Sequence, residues 1–210
     1  MANTFAPFGF RSAGTLEGSG PTYGMTRRYL ASSDTNTYFT GDVVQLSSGA
    51  NPGYITQQIA GNSSTEFILG IFAGCEYYSP AVGRVVWSSY FPGNLGTSSS
   101  PCNAYTIEGE DNMFLVQCTT TAVIGTSAIG QNVGVASSLQ GNGNTLNGIS
   151  GVALNSSTVA ATTTLPFKIV DTSSNLLPPG TNGTDGTSAG AVILVSFNNQ
   201  IRRSTAGSQT

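Results

Sequence analysis

The sequence predicts an all-β chain folded as a sandwich or barrel, and three observations carry that expectation. Short runs rich in Val, Ile, Phe and Tyr recur between clusters of Gly, Pro, Asn, Asp and Ser, the pattern of strands bounded by turns. No window of helical length places its apolar residues at a 3.6-residue period. The densest apolar run, FILGIFAGCEYYSPAVGRVVWSSYFPG from Phe67 to Gly93, divides at Ser79-Pro80 into two segments of high β propensity.

Those two segments predict a central antiparallel pair joined by a short turn. In the first, alternation puts Ile68, Gly70 and Gly74 on one face and Leu69, Ile71 and Ala73 on the other, so one face lacks bulk and leaves room for a close neighbour. In the second, which runs from Arg84 to Phe91, Val85, Trp87 and Ser89 alternate with Val86, Ser88 and Tyr90.

Taken in order, residues 1–26 hold Phe5, Pro7, Phe8, Phe10 and Met25 with no period of 2 or 3.6. They read as an extended N-terminal arm. Covering each Phe is worth roughly 1.5–3 kcal/mol, so the arm should dock on its own core, on a sister chain or on another surface. Residues 27–197 read as the β-rich body. Its expected strands are Arg28 to Ser32, Tyr38-Phe39, Val43 to Leu46 after a Gly41-Asp42 turn, Tyr54 to Ile59, Ala104 to Ile107, Met113 to Gln117, Leu165 to Val170 and Ala191 to Phe197. Long loops separate them, notably Asn94 to Asn103 and Asp171 to Gly190. Thr119 to Thr164 fits either short strands with wide loops or a flexible flap. Glu108-Gly109-Glu110-Asp111 reads as a solvated acidic turn, since the alternating oxygen ligands and distal Glu of an EF-hand are absent. Residues 198–210 read as a polar C-terminal tail.

Leu, Ile, Val and Phe make up about 23% of the 210 residues, above the ~20% below which disorder is favoured. Only 8% are charged, while Ser and Thr supply 26 residues each, so hydroxyl and amide groups replace ionic ones on the exterior. A net charge of -3 with a single lysine, Lys168, argues against nucleic-acid binding, which needs cations on phosphates. The basic pairs Arg27-Arg28 and Arg202-Arg203 read as solvated, or as facing an acidic patch on a partner. Cys75, Cys102 and Cys118 have no metal-type spacing. Buried free thiols are the default, with a Cys102–Cys118 disulfide left open. No charged start followed by an apolar stretch marks a signal peptide, and no run nears the ~20 apolar residues of a membrane span.

Histidine is absent, which removes Ser-His-Asp and Cys-His arrangements and the commonest metal ligand. Acids such as Asp42, Glu66, Glu76, Glu108, Glu110 and Asp171 could in principle pair across a cleft, but no spacing singles out a pair. Gly130 to Gly134 lacks the Gly-Lys-Ser/Thr ending of a phosphate loop. The expectation is a protein that is not an enzyme and needs no cofactor or metal.

Three blocks occur in a distinctive order: NTFAPFGFRSAG (Asn3 to Gly14), RRYLASSDTNTYFTGDVVQL (Arg27 to Leu46) and GIFAGCEYYSPAVGRVVWSSYFPG (Gly70 to Gly93). With a weaker echo in PFKIVD and ILVSFNNQIRR, this order resembles the head decoration, or capsid cement, proteins of tailed bacteriophages. The resemblance covers about the first half of the chain. It implies a jelly-roll-like body that assembles in the host bacterial cytoplasm and clamps neighbouring major capsid subunits on the outside of the virion. It also implies a small homo-oligomer, a trimer or alternatively a dimer. The residues expected at the capsid or subunit interface are Phe5, Pro7, Phe8, Phe10 and Arg11, with Arg202 and Arg203 as secondary contacts. A second expectation, from another class, is a phage-fibre glycan module in which Trp87, Tyr77, Tyr78 and Tyr90 stack on sugar rings.

Overall fold

The computed structural model describes residues 2–20, 24–47, 51–57, 67–95, 102–172, 178 and 180–202. Arg203 and the rest of the expected tail lie outside them, as do residues 58–66 at the end of the strand expected from Tyr54. The chain is all β, with two single-turn 3-10 segments and no α-helix among the described residues. In order the strands are β1 (Arg11–Thr15), β2 (Thr26–Leu30), β3 (Tyr38–Phe39), β4 (Val43–Leu46), β5 (Ile55–Gln57), β6 (Ile68–Ser79), β7 (Arg84–Ser88) and β8 (Tyr90–Phe91). They continue with β9 (Cys102–Ile107), β10 (Asn112–Gln117), β11 (Asn132–Val135), β12 (Gly143–Asn144), β13 (Ile149–Ser150), β14 (Leu154–Ala160), β15 (Phe167–Asp171) and β16 (Val192–Phe197).

Two antiparallel sheets hold most of these strands. One runs β1-β10-β16-β15-β11-β14; the other runs β2-β9-β6-β4-β5, with β7 added to the far end of β6. The second sheet curls until its edge strands β2 and β5 approach each other, and Tyr29 meets Tyr54 there in a tilted pair with ring centroids 5.7 Å apart. Its concave side encloses Leu30, Tyr38, Val44, Ile55, Leu69, Phe72, Cys75, Phe91, Cys102 and Ala104. Part of its convex side packs on the first sheet, through Val43, Ile68, Ile71 and Ile107 against Phe114, Val116, Phe167, Ile193, Val195 and Phe197. The β6–β7 turn closes with Gly83 N–H donating to the Ser79 carbonyl at 2.8 Å.

Strict alternation along β6 does not survive. Ile68 and Ile71 share the inter-sheet core, while Leu69, Phe72 and Cys75 share the concave one, because the register shifts against β4 and again between Phe72 and Gly74. An extra residue in a bulge reverses the facing of everything after it. Both glycines are nevertheless places of close approach: Gly70 lies against the Ile107 carbonyl, and the Trp87 indole covers Gly74. The second half of the hairpin also ends earlier than expected. Ser89 interrupts it, and Tyr90-Phe91 leaves to pair with Tyr38-Phe39.

Of the three docking places expected for residues 1–26, their described part takes the chain's own core: Arg11–Thr15 is the edge strand beside β10, and Phe10 is buried, stacked 4.5 Å from Phe167. Two sequence expectations need correction. The start of the tail, residues 198–202, is only partly solvated. Gln200 is fully buried and donates to the Leu69 and Glu108 carbonyls, both at 2.9 Å, and Ile201 N–H donates to Ile68. The turn after β9 is acidic but only partly solvated, because Glu108 is buried. Of the two readings of Thr119 to Thr164, short strands with loops is the observed one, with Val133, Val135 and Leu154 in the inter-sheet core.

Candidate docking surfaces

The first surface is built by the chain's N-terminal segment. Asn3 ties it down: its Nδ2 donates to the Asp185 carbonyl at 2.9 Å and its Oδ1 accepts from Gly183 N–H at 3.1 Å. Ala6 N–H donates to Gln117 Oε1 at 2.9 Å, and Gln117 Nε2 returns a bond to the Thr4 carbonyl at 2.8 Å. Between these anchors Phe5 is held 40% exposed. Pro7 and Phe8 are half-buried, and the exposed Arg11 guanidinium sits 4.8 Å over the Phe8 ring, a geometry favoured by the ring's negative face. Phe10 turns inward at Gly9, whose φ of 70° and contact with Gly41 and Ser150 leave no room for a side chain.

The second surface is the part of the convex wall that the first sheet leaves uncovered. Register places Arg27 opposite Tyr105 and Tyr29 opposite Asn103, Tyr105 opposite Gly74 and Asn103 opposite Glu76, then Glu76 opposite Trp87 and Tyr78 opposite Val85. Directly opposed residues share a face, so these nine form one patch. Gly74, at φ 142°, leaves the gap the indole fills: a Cβ there would stand 2.7 Å from the Trp87 ring. Trp87 therefore lies low over the sheet, 5.1 Å from the Tyr105 ring. Even so Trp87 is 54% exposed, Tyr78 50%, Tyr29 43% and Val85 65%.

Behind these surfaces lie two buried carboxylates. Glu108 accepts from Arg28 Nε and Nη2 at 2.7 and 2.6 Å, from Arg202 Nη2 at 3.0 Å and from Thr106 Oγ1 at 2.6 Å. Burial pushes its carboxyl upward, but the Arg28 and Thr106 hydrogen bonds and the two arginine charges outweigh that and hold it below the usual range. The same pairing raises Arg28. Asp42 is fully buried with no cation beside it among the described residues, accepting from Ser150 Oγ at 2.6 Å and Phe39 N–H at 2.8 Å. Burial pushes it up to about 7, against hydrogen bonds from Ser150, Phe39 and Gly141 that favour the ionised form.

The expected interface residues thus separate. Phe5, Pro7, Phe8 and Arg11 share one surface; Phe10 is core, and Arg202 serves the ion pair with Glu108. Each of the two basic pairs contributes one arginine to that carboxylate. Of the four aromatics expected at a glycan site, Tyr77 packs edge-on against Phe91 and Tyr90 stacks on Phe39, leaving Trp87 and Tyr78 outside. Tyr29 and Tyr105, not picked out from the sequence, join them. Their alternation with Leu30 and Ala104 was the available signal. The three cysteines are buried and unpaired. Cys102 lies in the concave core and Cys118 between the sheets, so the bridge left open between them is not made. No protein-family model, no curated protein and no solved structure matches this chain.

Proposed function

We propose that this chain is a structural decoration protein that attaches to the outer surface of a phage head and clamps neighbouring major capsid subunits. The observation that supports this reading best is the outward-held Phe5. Two residues, Asn3 and Gln117, fix the backbone on either side of an apolar side chain that remains in water, and a protein has no folding reason to anchor a phenylalanine there. With Pro7, Phe8 and Arg11 it makes a rigid apolar and cationic edge that needs no ordering on contact, which lowers the entropic cost of docking. The block order in the sequence supports the phage-head assignment. The glycan-module reading is weaker, because two of its four aromatics, Tyr77 and Tyr90, are half-buried against the rings of Phe91 and Phe39.

Purified chain added to heads that lack it should bind and raise their thermal rupture temperature; failure of the wild type to bind sinks the reading. Phe5→Ala should weaken binding by about tenfold to a hundredfold, as the loss of about 1.5–3 kcal/mol of apolar burial implies, while its melting curve matches the wild type.

A further inference from the structure

We infer that the uncovered convex wall joins two copies of this chain about a twofold axis through β9 beside Tyr105. The wall carries four large apolar side chains that are 43–65% exposed, Tyr29, Tyr78, Val85 and Trp87, all on hydrogen-bonded strands of the sheet. Its charges are arranged to match themselves. Arg27 stands on β2 at one side of Tyr105 and Glu76 on β6 at the other, one strand beyond β9. At about 4.8 Å between neighbouring strands, the two lie about 10 Å apart across the sheet, with Tyr105 between them. Within the chain Arg27 reaches only Tyr29, its guanidinium 5.6 Å over that ring, and Glu76 accepts from Tyr105 Oη at 3.1 Å. Neither makes an ion pair among the described residues.

A twofold axis through β9 beside Tyr105 exchanges β2 with β6 across the patch. It lays Arg27 of one copy on the Glu76–Trp87 side of the other, and the reverse contact follows by symmetry, as a closed isologous interface requires. Each guanidinium then gains a carboxylate and an indole face, while the apolar rings cover one another. The flat seat of Trp87 over Gly74 serves the same end, because an upright indole would hold the two sheets apart. This inference rests on the barrel wall alone, and the shell experiment above reads a different surface, so either can fail without the other. Joined copies would present two N-terminal edges, and linking two weak contacts raises occupancy through effective concentration.

Sedimentation of the full-length chain from about 1 to 100 µM tests the proposal, with the emission of Trp87, the sole tryptophan, as a second readout. The expected result is a concentration-dependent rise to twice the monomer mass with a blue shift of Trp87 emission. Arg27→Glu and Glu76→Arg should each raise the dissociation constant at least about tenfold, and the double reversal should restore it. Val85→Asp, at a side chain already largely in water, gives a disruptive variant with little effect on folding, and melting curves check every variant. The proposal is overturned by a monomer throughout that range or by a mass of three copies. It is equally overturned by a dimer indifferent to the reversals, by a double reversal that does not rescue, or by oligosaccharides shifting Trp87 emission while the mass stays monomeric.

Discussion

Glu108 and Asp42 are both carboxylates removed from water, yet the fold treats them oppositely. Glu108 sits where the ends of β2, β9 and the C-terminal segment meet, and two arginines converge on it from positions 80 and 94 residues away in sequence. Asp42 sits where the β3–β4 turn meets the β13 loop and is given hydroxyl and amide donors only. Burial disfavours charge; the arginine charges and their hydrogen bonds reverse the balance at Glu108, whereas the neutral donors at Asp42 do not. One carboxylate therefore works as an ion and the other as an acid that gives up its proton near neutrality.

The largest effect should come from breaking the ion pair. Arg28→Ala leaves Glu108 buried with only the more exposed Arg202 beside it, and removing one partner of a buried pair costs about 3 kcal/mol or more. Chemical denaturation at pH 7 measures it, and a loss under 1 kcal/mol would mean that Arg202 suffices.

The pH dependence sharpens the contrast. The folded Asp42 carboxyl, near 7, lies above its unfolded value. Its contribution to stability is therefore whole below about pH 4 and fades as pH rises to about 7. Glu108, held below the usual range, contributes above its unfolded value and is lost only as pH falls through the folded one. Between pH 5 and 8 the Asp42 effect should dominate, on the order of 2–3 kcal/mol, and no histidine competes in that window. The wild type should melt lower at pH 8 than at pH 5, and Asp42→Asn should flatten the difference; an equal slope in both would assign it elsewhere.

The smallest effect should follow from Ser150→Ala. That hydroxyl donates to Asp42 Oδ1 and accepts from Val152 N–H at 2.9 Å, so its loss should cost about 1–2 kcal/mol. It should also move the Asp42 midpoint upward, because one donor to the ionised form has gone.

Much of the fold was legible because β-propensity runs and turn residues are local properties. Tyr38-Phe39, Val43–Leu46, Cys102–Ile107 and Val192–Phe197 are strands at or within a residue or two of where their composition puts them. Arg11–Thr15 was not legible. Its sequence, RSAGT, has little propensity, and it is a strand only because β10 offers it an edge. The docking surfaces were half legible. Phe5, Phe8 and Arg11 stand out as apolar and charged residues in a patternless segment, but nothing local tells Phe5, which faces water, from Phe10, which completes a ring stack. Glu108 looked like one acid in a solvated turn. Its parity with Ala104 and Thr106 on β9 was the clue that it points inward.

By itself the sequence determined the class of the molecule: many short strands, a surface of hydroxyls and amides, and, without histidine, a narrow choice of acid–base chemistry. Those are consequences of composition and of neighbours along the chain. Only the tertiary structure decided which phenylalanine is core, which arginine is spent on Glu108, and which side of the β6–β7 hairpin meets water. Each of these depends on which distant residue arrives opposite, and on the bulges in β6 that reset which way every later side chain points.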